Sequence, residues 1–202
     1  FPSYPSIRGD TTALPEALWA CEAAARARRC MSIRFLGLGQ PSSLPALGLR
    51  GYARAEKLEY VVDLTRGKEA LWGAVSQDQQ RNVKLSRRHN VYIVRAASPE
   101  SVRILRALQS QVSQRHAARG DAFGLRPPEA YDVLYRTLVQ RSLARVYCAL
   151  AGKTIVAAAL ITTFGRRARG IYNGSSQEGL EACAPTALIW HLIAQLSQEG
   201  FT

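Results

Sequence analysis

Ala144 to Ser175, ARVYCALAGKTIVAAALITTFGRRARGIYNGS, decides how this chain is read. Ala144–Ala151 alternates in polarity, and Gly152-Lys153 supplies a turn. Thr154–Phe164 is an almost continuous apolar run, as suits a central strand covered on both faces. Gly165–Arg169 turns again, and Gly170–Ser175 makes a third strand. Three strands joined by short turns form an antiparallel meander, and a sheet of that kind needs helices against it. The next segment provides one: Ala184–Glu199 is amphipathic and ends at Gly200, a residue suited to a helix C-terminus.

Upstream of the meander, Pro128–Gln140 reads as a helix carrying Tyr131, Leu134, Leu138 and Val139, preceded by a loop over Gly120–Pro128. Ser98-Pro99-Glu100 opens a long helix, with a cap, a proline at its first position and an acid in its first turn, running to about Ala118. Val91–Ala96 is a strand. Ser76 is placed to cap a basic helix, Lys68–Val75 is a shorter helix, and Leu58–Leu64 reads as a strand. Gly39–Gly51, rich in Gly, Pro and Ser, is the best domain boundary. Before it, Ser32–Leu38 alternates as a strand. Pro15–Arg29 reads as a helix with Leu18, Cys21, Ala24 and Ala25 on its apolar side, and Phe1–Asp10 as a strand end or loop. The whole is an α+β pattern without repeats.

Composition narrows the function. A 47% hydrophobic content is that of a chain with a packed core. The net charge of +12 calls for an anionic partner: nucleic acid, a phosphorylated substrate, a cofactor or acidic lipid. The excess is concentrated, with nine Lys or Arg against two acids between Ser76 and Gly120. Its densest part is Ser76–Tyr92, SQDQQRNVKLSRRHNVY, where Arg81, Lys84 and Arg88 fall within about 60° on a helix and Arg87 stands beside them. Such a face is either solvated or neutralised by an anion, and composition alone leaves both open. The four cysteines have no metal-ligand spacing. Cys21 and Cys148, in apolar surroundings, read as core thiols, which points to a reducing compartment and a cytoplasmic protein. No apolar run reaches the length of a membrane span and no secretory signal is visible, although so basic a surface is compatible with peripheral membrane contact.

With these residues in this order, the chain resembles the FemAB-like branch of the GNAT acyltransferase superfamily, which takes in peptidoglycan bridge aminoacyltransferases and BioF2-like acetyltransferases. The likeness is carried by LEYVVDLTRGKEALWGAVSQDQQRNVKLSRRHNV (58–91), by the meander with GIYNGSS (170–176), by APTALIWHLIAQLSQEGF (184–201), and by the proline-containing FPSYPSIRG (1–9). The resemblance implies a GNAT-type, mainly antiparallel sheet flanked by helices. It also implies that residues 1–50 are the back part of a first such domain and 51–202 a second lacking its final strands, so that the chain is a piece of a longer protein. The reaction the resemblance implies is transfer of an acyl or aminoacyl group, from aminoacyl-tRNA or acyl-CoA, to an amine of a phosphorylated cell-envelope precursor, peptidoglycan or polysaccharide. By resemblance, Arg81, Lys84, Arg87 and Arg88 grip phosphate.

Two features depart from the wider pattern. Single-fold GNAT enzymes hold the CoA pyrophosphate on a Gly-rich loop, whereas here Glu181-Ala182-Cys183-Ala184-Pro185-Thr186 leads into the last helix with no glycine. The coiled-coil arm of some members has no room between Ser98 and Gln140. Tyr172, Asn173 and Ser175 lie on the strand where an acyl acceptor passes in a GNAT fold. Tyr172 is the candidate proton relay, against ordinary strand packing, with Asn173 and Ser175 as candidate substrate contacts. His191 reads as a structural histidine, His89 and His116 as solvated helix-end residues, Trp72 and Trp190 as core, and Arg166 and Arg167 as surface charge. No metal constellation or Ser/His/Asp set can be assembled. An aminoacyl or acyl transferase is therefore expected. An acyl-CoA-dependent N-acyltransferase is one alternative, and a non-catalytic module holding RNA or a phosphorylated glycan is another.

Overall fold

The structure is a computed structural model that describes residues 14–31, 33, 60–121 and 123–202. The chain divides into two compact units, residues 1–59 and 60–202. In the first, helix α1 spans Leu14–Ala27. Leu18 is its buried residue and Glu22 and Ala25 are half-buried, all within one turn's spacing, while Cys21 is exposed. The expectation of a core thiol at Cys21 is thus corrected: it sits at the margin of the stripe that runs through residues 18, 22 and 25. The strand expected over Ser32–Leu38 and the boundary at Gly39–Gly51 lie outside the described residues.

The second unit is a four-stranded antiparallel sheet in the order β1–β2–β3–β4. Its strands are β1 (Val91–Ala96), β2 (Ala144–Ala151), β3 (Thr154–Phe164) and β4 (Arg167–Ser175). The first three have the expected limits. The fourth starts earlier, because the β3–β4 turn needs only Gly165 and Arg166, with Gly165 in the left-handed region at φ +55°.

Helices cover both faces. Against one lie α4 (Pro99–Ala117) and α5 (Pro128–Leu134), the latter continued by a π-helical turn over Tyr135–Val139. Val102, Leu105, Tyr131 and Leu134 there meet Val146, Cys148, Ala158 and Leu160. Against the other lie α2 (Lys68–Ala74), α3 (Gln77–Arg88), and α7 (Ala184–Gln198), whose Leu188, Leu192 and Leu196 join Tyr147, Ala149, Ala157, Ala159 and Ile161. Consecutive residues of β2 and β3 therefore feed opposite cores, which is why β3 had to be apolar throughout.

The strand expected at Leu58–Leu64 does not form over its described part. Asp63 instead accepts the Thr65 N–H at 3.0 Å and starts a 3₁₀ turn, Leu64–Arg66. Tyr60 and Val61 are 100% and 85% exposed, so this β-prone run has no sheet neighbour among the described residues, and only Leu64 enters the core. A short helix absent from the sequence reading, α6 (Gln177–Glu181), is capped by Ser176 and docks on β3. A Cβ on Gly179 would lie 2.2 Å from the Val156 carbonyl oxygen, so only glycine permits that approach.

Candidate functional site

Among the described residues the sheet ends at β4, and beyond that strand the two helical layers face each other across a cleft of about 270 Å³. Its position follows from two local features. At Gly174 helix α4 approaches so closely that a Cβ would come within 2.8 Å of the Gln109 nitrogen, which brings the C-terminal turns of α4 over the end of β4. On the opposite wall Pro185, Leu188 and Ile189 of α7 close the cleft.

Arg115, His116 and Arg119 of the α4 end line it, together with Asn173, Gly174 and Ser175 of β4. Arg115 is fixed in place: its Nη2 donates to the Ser175 carbonyl at 2.7 Å and to the Ser175 hydroxyl at 3.4 Å. His116 is held as well. Gly120, at φ +79°, turns the chain back so that the Asp121 N–H reaches the His116 carbonyl at 3.0 Å. The Asp121 Oδ2 then lies 3.4 Å from His116 Nδ1, and the Phe123 ring stacks on the imidazole at a centroid distance of 5.3 Å. With Nδ1 turned to a carboxylate, Nε2 is the nitrogen left to exchange a proton. His116 is thus a half-buried, partnered group at the cleft and not the solvated helix-end residue expected.

No carboxylate is found among the residues lining this cleft, which suits an anionic ligand. The start of α7 offers little to such a ligand. Its N-cap, Cys183, is left-handed at φ +54°, and Pro185 lacks an N–H at the point where a GNAT loop would present amides. The cations at this cleft are instead the guanidinium groups of Arg115 and Arg119.

The sequence-proposed residues separate. Asn173 and Ser175 pair with Ala159 and Ala157 and point to the α7 side, into the cleft. Tyr172 pairs with Leu160 and faces the α4–α5 side, where its ring lies 6.0 Å from that of Tyr131. Period-two pleating makes this unavoidable, and a bulge at Leu160/Ile161 adds Ile171 to the same face. The expected relay therefore stands outside the cleft, packed beside the buried Tyr131, which donates its hydroxyl proton to Gln109. Burial, with Tyr172 adding to it, pushes the Tyr131 phenol upward.

The basic helix forms as read, with the Ser76 hydroxyl accepting the Gln79 N–H at 3.4 Å. Its four cations also separate. Arg81 pairs with Asp78 at 3.2 Å on the exposed side. Lys84 and Arg87 line a second cavity, of about 280 Å³, with Lys68, Trp72 and Trp190, and Arg88 does not. The two tryptophans are half-buried and line that cavity, and Trp190 also packs against the core, as expected. His191 packs 6.1 Å from the Tyr147 ring, as suits a structural histidine. No group of metal-binding side chains occurs among the described residues, and no helix there is long and apolar enough to cross a membrane.

Comparison with known proteins agrees with this architecture. The family model described as an acetyltransferase (GNAT) domain matches residues 76–202. No curated protein matches the chain. Among solved structures, the crystal structure of FemX superposes with a TM-score of 0.70 over 100% of this chain and 72% of that one, at 13% identity. At that identity the likeness is one of fold, and it bears out the mixed, mainly antiparallel sheet flanked by helices. With a family model covering the meander, the basic helix and both walls of the cleft, the chain belongs to the GNAT acetyltransferase-domain family.

Proposed function

We propose that this protein transfers an aminoacyl or acyl group to an amine, with the cleft at the β4 edge as the reaction site. The observation that carries the reading is His116 lining that cleft, backed by Asp121 at 3.4 Å and flanked by Arg115 and Arg119. An amine attacks the carbonyl carbon of an activated ester, the C–O bond to the leaving group breaks, and the proton shed by the nitrogen goes to His116 Nε2. The leaving oxygen takes up a proton as the tetrahedral intermediate collapses. Arg119, and Arg115 where its bonds to Ser175 leave it free, face the anionic part of the donor or acceptor. Asn173 and Ser175 are the proposed contacts to the acceptor.

The donor we favour is aminoacyl-tRNA and the acceptor a phosphorylated peptidyl precursor of the cell envelope, in the cytoplasm. The FemX-like fold supports this, as does the glycine-free start of α7, which offers no amide cradle for a CoA pyrophosphate. Acyl-CoA is the second donor considered. The cations of α3 serve as anchors for phosphates, Lys84 and Arg87 foremost because they line a cavity. That helix also favours a second reading, a module that only binds RNA or a phosphorylated glycan.

Turnover separates these. The protein is incubated with charged tRNA or acetyl-CoA and an amine-bearing precursor peptide, and the acylated product is read by mass spectrometry. Product from charged tRNA, lost in His116→Asn, supports the proposal. Product from acetyl-CoA alone moves the donor to acyl-CoA. Binding of tRNA without product under any condition supports the binding module and sinks the transferase.

A further inference from the structure

The cavity beside α3 has a composition that phosphate anchoring alone does not explain. The helical wheel of α3 runs from buried Val83 through Arg87 and Lys84 to Arg88 and Arg81, in steps of about 20–60°. Val83 packs inward, and the two cations next to it on the wheel open onto the cavity. Lys68 faces them from α2, so three cations converge on one space; Glu69 is the single carboxylate lining it. No ion pair is formed by Lys68, Lys84 or Arg87 among the described residues, where ion pairs are otherwise common along α3 and α4.

The rest of the lining is aromatic. Trp72 of α2 and Trp190 of α7 meet at a centroid distance of 4.6 Å, tilted by 53°. Each ring holds the other in place, so contact with a ligand would cost little further side-chain freedom. Both are half-buried and line the cavity, Trp190 with one side packed against the core. The cations are not used up on these rings: the cation–π contact among the described residues joins Arg145 to Phe201, elsewhere in the unit. Unpaired cations and ring surface facing one space are the two halves of nucleotide recognition, charge for the phosphate and a platform for the base.

We infer that this cavity is a nucleotide-binding site, in which Lys68, Lys84 and Arg87 take the phosphate and Trp72 and Trp190 the base. The inference rests on reading α3 as an anion anchor, and not on which group the cleft transfers. A nucleoside phosphate at the end of an RNA and the nucleotide portion of a CoA share this chemistry.

Tryptophan fluorescence tests it on the full chain. Two of the three tryptophans line the cavity, and a Trp19→Phe background removes the signal of the exposed third. Titration with adenosine monophosphate is expected to give saturable quenching. Adenosine and inorganic phosphate should each bind at least about tenfold more weakly, since each offers half of the contacts. The exposed pair Lys84→Gln/Arg87→Gln should weaken the monophosphate at least about tenfold with unchanged circular dichroism. A tRNA 3′-end oligonucleotide and CoA, run as competitors, assign the source. Inorganic phosphate or glucose 1-phosphate binding as tightly as the nucleotide, with the same dependence on Lys84 and Arg87, would leave the anion anchor standing and overturn the nucleotide site. Absence of saturable quenching, or quenching indifferent to the double substitution, would overturn both.

Discussion

The two cationic ends of the sheet's helical layers, the α3 face and the C-terminal turns of α4, look alike in charge and differ in construction. On α3 only Val83 and Ser86 are buried, and Lys84 and Arg87 stand exposed beside a cavity. On α4 the cations are part of the fold. Arg115 bonds the backbone of β4, and His116 is set by Asp121 and Phe123. A charge free of partners is a charge reserved for a ligand or for solvent. A charge bonded to the protein's own carbonyl has been positioned for use or for stability. Substitution should therefore reach binding alone on α3, and both turnover and stability on α4.

The largest expected effect is on turnover. His116→Asn, measured with whichever donor the protein accepts, should lower kcat by about 100-fold or more while donor affinity changes little. Affinity lost in step with kcat would instead make His116 a binding residue. Arg115→Ala should come next, in stability. Leaving the Ser175 carbonyl without its charged donor costs about 1–3 kcal/mol, or several degrees of Tm by calorimetry. Lys84→Ala and Arg81→Gln on α3 should stay within about 0.5 kcal/mol, since Lys84 forms no ion pair among the described residues and the Arg81–Asp78 pair is exposed. Equal losses in the two helices would erase the contrast. Tyr172→Phe, on the face of β4 away from the cleft, should change kcat by less than about threefold. A loss as large as that of His116→Asn would return the proton relay to the tyrosine.

The smallest effect concerns acid. Glu199 is drawn upward by partial burial, but the hydrogen bonds from Arg145 and Gln195 outweigh this and hold its carboxyl below its ordinary 4.5. A carboxyl depressed by folding adds stability above its unfolded value, and that stability is lost as pH falls through the folded one. The difference in urea midpoint between the protein and Glu199→Gln should thus be present at neutral pH and shrink steadily below pH 4.5. A difference that persisted unchanged at about pH 3 would mean that charge plays no part in it.

Much of the fold was legible because period and punctuation agreed. The limits of β1, β2 and β3 follow from alternation or continuous apolarity bounded by Gly152 and Gly165, and Ser76 caps the basic helix as its position foretold. Leu58–Leu64 misled because β-propensity is a preference for a half-buried pleated surface, and Asp63 had a local partner in Thr65 that needed none. Cys21 misled because an apolar residue at a stripe's margin is ambiguous until the helix is docked. For His116 a signal existed in Gly120-Asp121, the turn that folds an acid back over the helix end, yet Phe123 and the nearby β4 edge could not be read from it.

The sequence by itself determined the class of the fold, the meander at its centre and the place of its densest charge, because these depend on local period, turn chemistry and composition. Only the tertiary structure decided which charges act together. It separated Tyr172 from Asn173 and Ser175 by the pleat, brought Arg115 to the Ser175 carbonyl across 60 residues, and set Trp190 beside Trp72. Such juxtapositions are fixed by the close approach of a helix to a strand and by the packing of one helix on another, and neither leaves a trace at short range along the chain.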